Sequence, residues 1–138
     1  MSSGSKPYEL ILETRGDYLY ARVTADEIDR HSAIDYVRRV AAVCNEKSIN
    51  KILVDRRVPM MLADSENYLL IIEMTQILGR RKIAYVNPFE QLDDKMSMNE
   101  MVSRNRNAPY RAFRTEEDAV RWLEDDEALG VDVHSSDG

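Results

Sequence analysis

Along the first 24 residues, apolar and β-branched positions gather in two short runs, Tyr8 to Thr14 and Asp17 to Thr24, joined at Arg15-Gly16-Asp17. Glycine there can take the positive φ of a tight turn, so the runs are predicted to pair as an antiparallel hairpin. From Ser32 the period lengthens. Ile34, Val37, Val40, Ala41 and Cys44 recur three to four residues apart, with Asp35, Arg38, Arg39 and Glu46 between them. That spacing predicts a helix whose apolar face lies on a sheet. Lys51-Ile52-Leu53-Val54-Asp55 is a continuous apolar run, as expected of a strand covered on both faces. A second helix is predicted from about Glu66 to Leu78, ended by Gly79 in a left-handed cap. Lys82 to Val86 reads as another strand, closed by Asn87-Pro88, and Phe89 to about Asn105 as a weaker helix carrying Leu92, Met96 and Val102. Tyr110 to Arg114 is the last strand. Thr115 then caps a fourth helix containing Ala119, Val120, Trp122 and Leu123, with Asp118 returning the bond three residues on.

The order β-β-α-β-α-β-α-β-α implies right-handed crossovers and a mostly parallel sheet. The expected architecture is a single α/β domain: a mixed five-stranded sheet that begins with a hairpin and carries about four helices. Apolar residues at 43% and charged residues at 32% are a globular composition. The polar, Gly/Ser-rich opening MSSGSKP suggests a flexible tail over residues 1–7, a domain over 8–126 and an acidic tail over 127–138.

The net charge of -6 sits at one end, because residues 124–138 hold six acids and no Lys or Arg while the rest carries as many bases as acids. Such a neutral body offers no long-range field for nucleic acid, and none is expected as a partner. Cys44 is the only cysteine, which excludes an internal disulfide and any CxxC redox or zinc motif. No leader precedes the first strand and no apolar run approaches membrane-span length, so a cytoplasmic location is expected. His31 and His134 have no spaced Asp, Glu or Cys partners. With phosphate loop and dinucleotide fingerprint also missing, neither catalytic residue, metal nor cofactor is expected, and enzymatic activity is the least supported class.

A hairpin followed by strand-helix units, an ILVD strand leading to an Asp-Ser helix start, and the closing FRTEEDAVRWL together resemble the SpoIIAA-like group, relatives of the anti-sigma-factor antagonist (STAS) domains. The resemblance covers roughly residues 8 to 124. It implies a regulatory domain with a protein partner such as a kinase or regulatory factor. In such regulators an Asp-Ser-Ser/Thr-Gly segment starts the second helix, and its second hydroxyl is phosphorylated by the partner kinase. Asp64 and Ser65 match that segment, whereas Glu66 stands at the phosphoacceptor position and Asn67 at the glycine. Glu66 then either imitates a modified state or marks a repurposed site, and Ser65 is the remaining candidate for phosphorylation.

Two surfaces follow as expectations. Arg56, Arg57, Met60, Met61, Asp64, Ser65 and Glu66 lie between the third strand and the second helix, where open α/β sheets bind their partners. They are the predicted partner-binding residues, although Asp64 or Ser65 would equally serve as the helix cap. The alternative is a pocket for a lipid or other small apolar ligand, as in Sec14-like relatives of the wider group, lined by Met60, Met61, Met96, Met98 and Met101. The apolar residues Tyr68 to Ile72 spread around more than one helix face, which suits core packing, with homodimerisation as the other reading.

Overall fold

A computed structural model describes residues 8–125. The two tails expected over 1–7 and 127–138 lie outside the described residues. Chain order gives β1 (Glu9–Arg15), β2 (Tyr18–Thr24), α1 (Arg30–Lys47), β3 (Lys51–Arg57), α2 (Asp64–Leu78), β4 (Lys82–Val86), a 3₁₀ turn (Glu90–Leu92), α3 (Asp93–Asn105), β5 (Tyr110–Phe113) and α4 (Glu116–Glu124).

Strands follow one another in the sheet in the order β1-β2-β3-β4-β5. β1 and β2 are antiparallel, with Arg15 opposite Tyr18 across a turn in which Gly16 adopts φ 59°. The remaining neighbours are parallel. Three crossovers step the same way across the sheet, and a right-handed crossover places its helix on a face set by that direction. α1, α2 and α3 therefore share one face. α4 follows the last strand with no further strand to return to, and it packs across β3, β4 and β5 on the opposite face.

Strand alternation divides the core accordingly. Leu19, Ala21, Val23, Ile52, Val54, Ile83, Tyr85 and Tyr110 bury against the three-helix layer, whereas Tyr18, Tyr20, Leu53, Ala84 and Val86 meet Ala119 and Leu123 of α4. β3 and β4 are covered on both sides, which is why their sequences read as unbroken apolar runs.

Several element ends differ from the sequence expectation. α1 begins two residues before Ser32, because Asp29 accepts the Ser32 amide at 2.7 Å and caps the helix there. β3 continues past Asp55 to Arg57, since β2 offers Val23 and Thr24 as partners for Arg56 and Arg57. The third helix opens with a 3₁₀ turn rather than running unbroken from Phe89. At α4, Thr115 accepts the Asp118 amide at 3.2 Å, but the Asp118 carboxylate turns to Arg121 at 3.1 Å instead of back to the cap.

Buried Lys82 shows how the two faces are joined. It stands on the α4 side of β4 and donates to the carbonyls of Trp122 at 2.6 Å and Asp125 at 2.8 Å. An ammonium there meets the negative end of the helix dipole and adds a donor to the carbonyls at the end of the last turn.

Candidate functional site: the loop after the third strand and the start of the second helix

The site begins where β3 ends. Alternation sends Arg56 to the three-helix face with Ile52 and Val54, and Arg57 to the α4 face with Leu53 and Asp55. The paired arginines thus serve opposite sides of the sheet. Arg56 is 8% exposed and donates through its guanidinium to the carbonyls of Val58 and, at 2.6 Å, Met60. Burial pulls its proton affinity below the usual arginine range. These bonds fold the loop after β3 around the guanidinium. Val58 is buried, Met61 and Leu62 are half-buried, and the Met60 side chain is left 52% exposed.

α2 starts at Asp64, with Ala63 at the cap position and no side chain accepting its first amides. The expected capping by Asp64 or Ser65 is not what forms. Lys95 of α3 donates to Asp64 at 2.6 Å and to the Leu62 carbonyl at 3.2 Å, drawing that carboxylate away from the helix end. Asp64 and Glu66 nevertheless sit in the first turn, where negative charge complements the dipole. Arg30 of α1 holds Glu66 at 2.9 Å, so the start of α2 is tied to both neighbouring helices. The exposed Ser65 hydroxyl has no partner among the described residues. Tyr68 and Leu69, one turn on, are 49% and 44% exposed. Sequence patterning placed them in the core, but the buried stripe of α2 runs through Asn67, Ile71, Met74 and Leu78 and leaves both outside.

Of the seven residues predicted for partner binding, Met60, Asp64, Ser65 and Glu66 therefore lie exposed along the loop and the first turn of α2. Met61 turns half inward, Arg56 is inside, and Arg57 is exposed on the far side of the sheet.

Behind the loop lies a narrow cavity of about 40 Å³, lined among others by Tyr36, Arg56, Met61, Asn67, Tyr85, Met96 and Asn99. Only Met61 and Met96 of the five methionines named from sequence reach it; Met60 and Met101 are more than half exposed, and Met98 does not line it. At this size the cavity holds roughly three water molecules, far below the hundreds of cubic ångströms a lipid or drug-sized ligand fills. The five methionines do not form one apolar pocket.

The α4 face carries a second polar cluster that sequence reading passed over. Asp55, 4% exposed, accepts from Tyr20 Oη at 2.5 Å and from Arg57 at 3.0 Å, with Arg22 at 3.8 Å. Arg15 lies over the Tyr20 ring at 3.7 Å and reaches Glu116 at 3.0 Å. Burial, and then the bond to Asp55, raises the Tyr20 phenol above its ordinary value. The available signal was the acid closing an otherwise apolar strand, which must find donors once both faces are covered. Among the described residues, no group of three or more His, Cys, Asp or Glu could hold a metal ion, and no helix is long and apolar enough to cross a membrane.

No protein-family model and no curated protein matches the chain. Among solved structures it is similar to an anti-sigma factor antagonist from Mycobacterium paratuberculosis, with a TM-score of 0.57 over 86% of this chain and 95% of that one. The chain has a STAS-like fold. At 16% sequence identity the likeness is one of architecture: a hairpin-led mixed sheet in a single α/β domain. In this STAS-like frame, the loop after β3 and the start of α2 stand at the carboxyl end of a parallel strand.

Proposed function

We propose that this chain is a non-catalytic, cytoplasmic regulatory module that binds a protein partner, of kinase or regulatory-factor type, through the loop after β3 and the start of α2. The observation that carries this reading is the exposure of Met60, Tyr68 and Leu69 around the polar first turn Asp64-Ser65-Glu66. Large apolar side chains in water beside charged ones are what partner surfaces present. The fold shared with an anti-sigma factor antagonist supports a regulatory role. Arg56 and Lys95 hold the loop and the helix start in place, so the surface is formed before the partner arrives and less ordering is needed on binding.

Ser65 adds a means of control. Its free hydroxyl sits in the first turn of α2, where a phosphate would face uncapped amides and the positive end of the dipole. Photo-crosslinking in cells tests the reading. A photoreactive residue at position 69 is expected to give one discrete adduct with a regulatory protein. The same residue at Ile11, exposed on β1, is expected to give none. Adducts of equal yield from both positions would count against a site at this end of α2.

A further inference from the structure

Arg56 is buried without a counter-charge among the described residues: no acid there pairs with it, and two backbone carbonyls are its only acceptors. A guanidinium removed from water costs several kcal/mol unless negative charge compensates it. Around it two donors are unused and a third meets only sulfur. Tyr36 is 7% exposed and its hydroxyl has no hydrogen-bond partner among the described residues. Among the described residues no fully enclosed polar side-chain atom lacks a partner, so that hydroxyl is not fully enclosed, and Tyr36 lines the cavity. Among the described residues the Tyr85 hydroxyl reaches only the Met74 sulfur, at 3.7 Å. Asn67 donates to Asn99 Oδ1 at 2.6 Å, and the Asn99 amide nitrogen has no acceptor among the described residues.

Five elements thus converge on one small space, contributing Tyr36 from α1, Arg56 from β3, Asn67 from α2, Tyr85 from β4 and Asn99 from α3. The uncapped first turn of α2 adds the positive end of its dipole beside them. Apolar walls from Ile28, Met61 and Leu70 leave no room for a large polar group. We propose that this cavity binds a free oxyanion the size of a carboxylate, held by the Arg56 guanidinium with the Tyr36 hydroxyl and the Asn99 amide as further donors. The volume agrees: space for roughly three waters matches the three heavy atoms of a carboxylate group, with little left beyond a methyl. The ligand class is a short-chain monocarboxylate. It would bind beneath the loop, on residues distinct from the exposed ones proposed to meet the partner.

Heteronuclear NMR titration with sodium formate, acetate and benzoate, against sodium chloride at matched ionic strength, tests the site. Formate and acetate are expected to give saturable shifts at the amides of residues 36, 56, 67 and 99, and benzoate none, because its ring exceeds the cavity. Tyr36→Phe keeps the ring and removes one donor, and is expected to weaken acetate binding roughly tenfold, the loss of one hydrogen bond to a charged group. Arg56→Met is expected to abolish it. Because Arg56 also holds the loop, the Tyr36→Phe result decides if Arg56→Met fails to fold. Shifts that follow chloride without saturating, or equal acetate affinity in wild type and Tyr36→Phe, would overturn the proposal.

Discussion

Arg56 donates to the carbonyl of Met60 at 2.6 Å, so a residue of the sheet fixes the backbone of a loop whose side chains face outward. The same guanidinium holds Val58. Replacing Arg56 with Met removes a buried charge but strips two carbonyls of their donors. The expected cost is about 1–3 kcal/mol in urea unfolding, because an unsatisfied buried polar group carries its full desolvation penalty. Amide exchange over residues 59–62 is expected to quicken more than exchange in β4. Uniform quickening would mean that Arg56 supports the whole core rather than the loop.

The Tyr20–Asp55 pair predicts a response to alkali. Burial first, and the bond to Asp55 second, raise the Tyr20 phenol above its unfolded value. A group that binds its proton more tightly when folded contributes stability that is fully present below pH 10.0 and lost as pH rises through the folded value. Tyr20→Phe is expected to cost about 1 kcal/mol at neutral pH and to flatten the decline in stability above pH 10.0. Tyr36, Tyr85 and Tyr110 are also raised by burial, so the slope is reduced rather than removed. An unchanged alkaline slope in Tyr20→Phe would contradict the pairing.

Asp29 acts at the opposite end of the pH scale. Its bonds from Ser32 hold the carboxyl below the usual 3.8. The stability it contributes is present above that value and disappears as pH falls through the lower folded value. Asp29→Ala is expected to cost about 1 kcal/mol at neutral pH, the usual worth of a helix cap. Asp29→Asn should retain most of the capping while removing its acid dependence. Denaturant midpoints of the three proteins, followed from neutral pH to well below pH 3.8, compare these outcomes directly.

Lys82→Met leaves the last carbonyls of α4 without their ammonium donor. The expected loss is about 2 kcal/mol, with α4 fraying first. Trp122 reports it: the indole lies 4.6 Å from the Lys82 nitrogen and packs on Phe113, so its fluorescence should shift towards that of a solvated ring. Wild-type fluorescence and stability together would show that α4 docks through its apolar face alone.

Much of the architecture was legible because it is written in local patterns. Gly16 announced the hairpin, the unbroken Ile52-Leu53-Val54 run a doubly covered strand, and the spacing of Ile34, Val37 and Val40 the first helix. What escaped depended on partners distant in sequence. Asp64 looked like a cap until Lys95, 31 residues away, claimed its carboxylate. Arg56 looked like a loop residue because the apolar run stops at Val54. Pairing with Val23 extends the strand, and alternation then turns Arg56 inward. Tyr68 and Leu69 sit in so apolar a helix that periodicity could not say which residues stay outside; packing between α1 and α3 decided it.

The central claim is that the start of α2 is a protein-binding surface. With the crosslinked partner in hand, its affinity for the Met60→Asp, Leu69→Arg double variant measures that most directly. Both side chains are exposed, so the fold and its unfolding midpoint are expected to remain within about 0.5 kcal/mol of wild type. Affinity is expected to fall about a hundredfold, as when two central apolar contacts are replaced by charge. Unchanged affinity in a correctly folded double variant would place the partner elsewhere on the molecule.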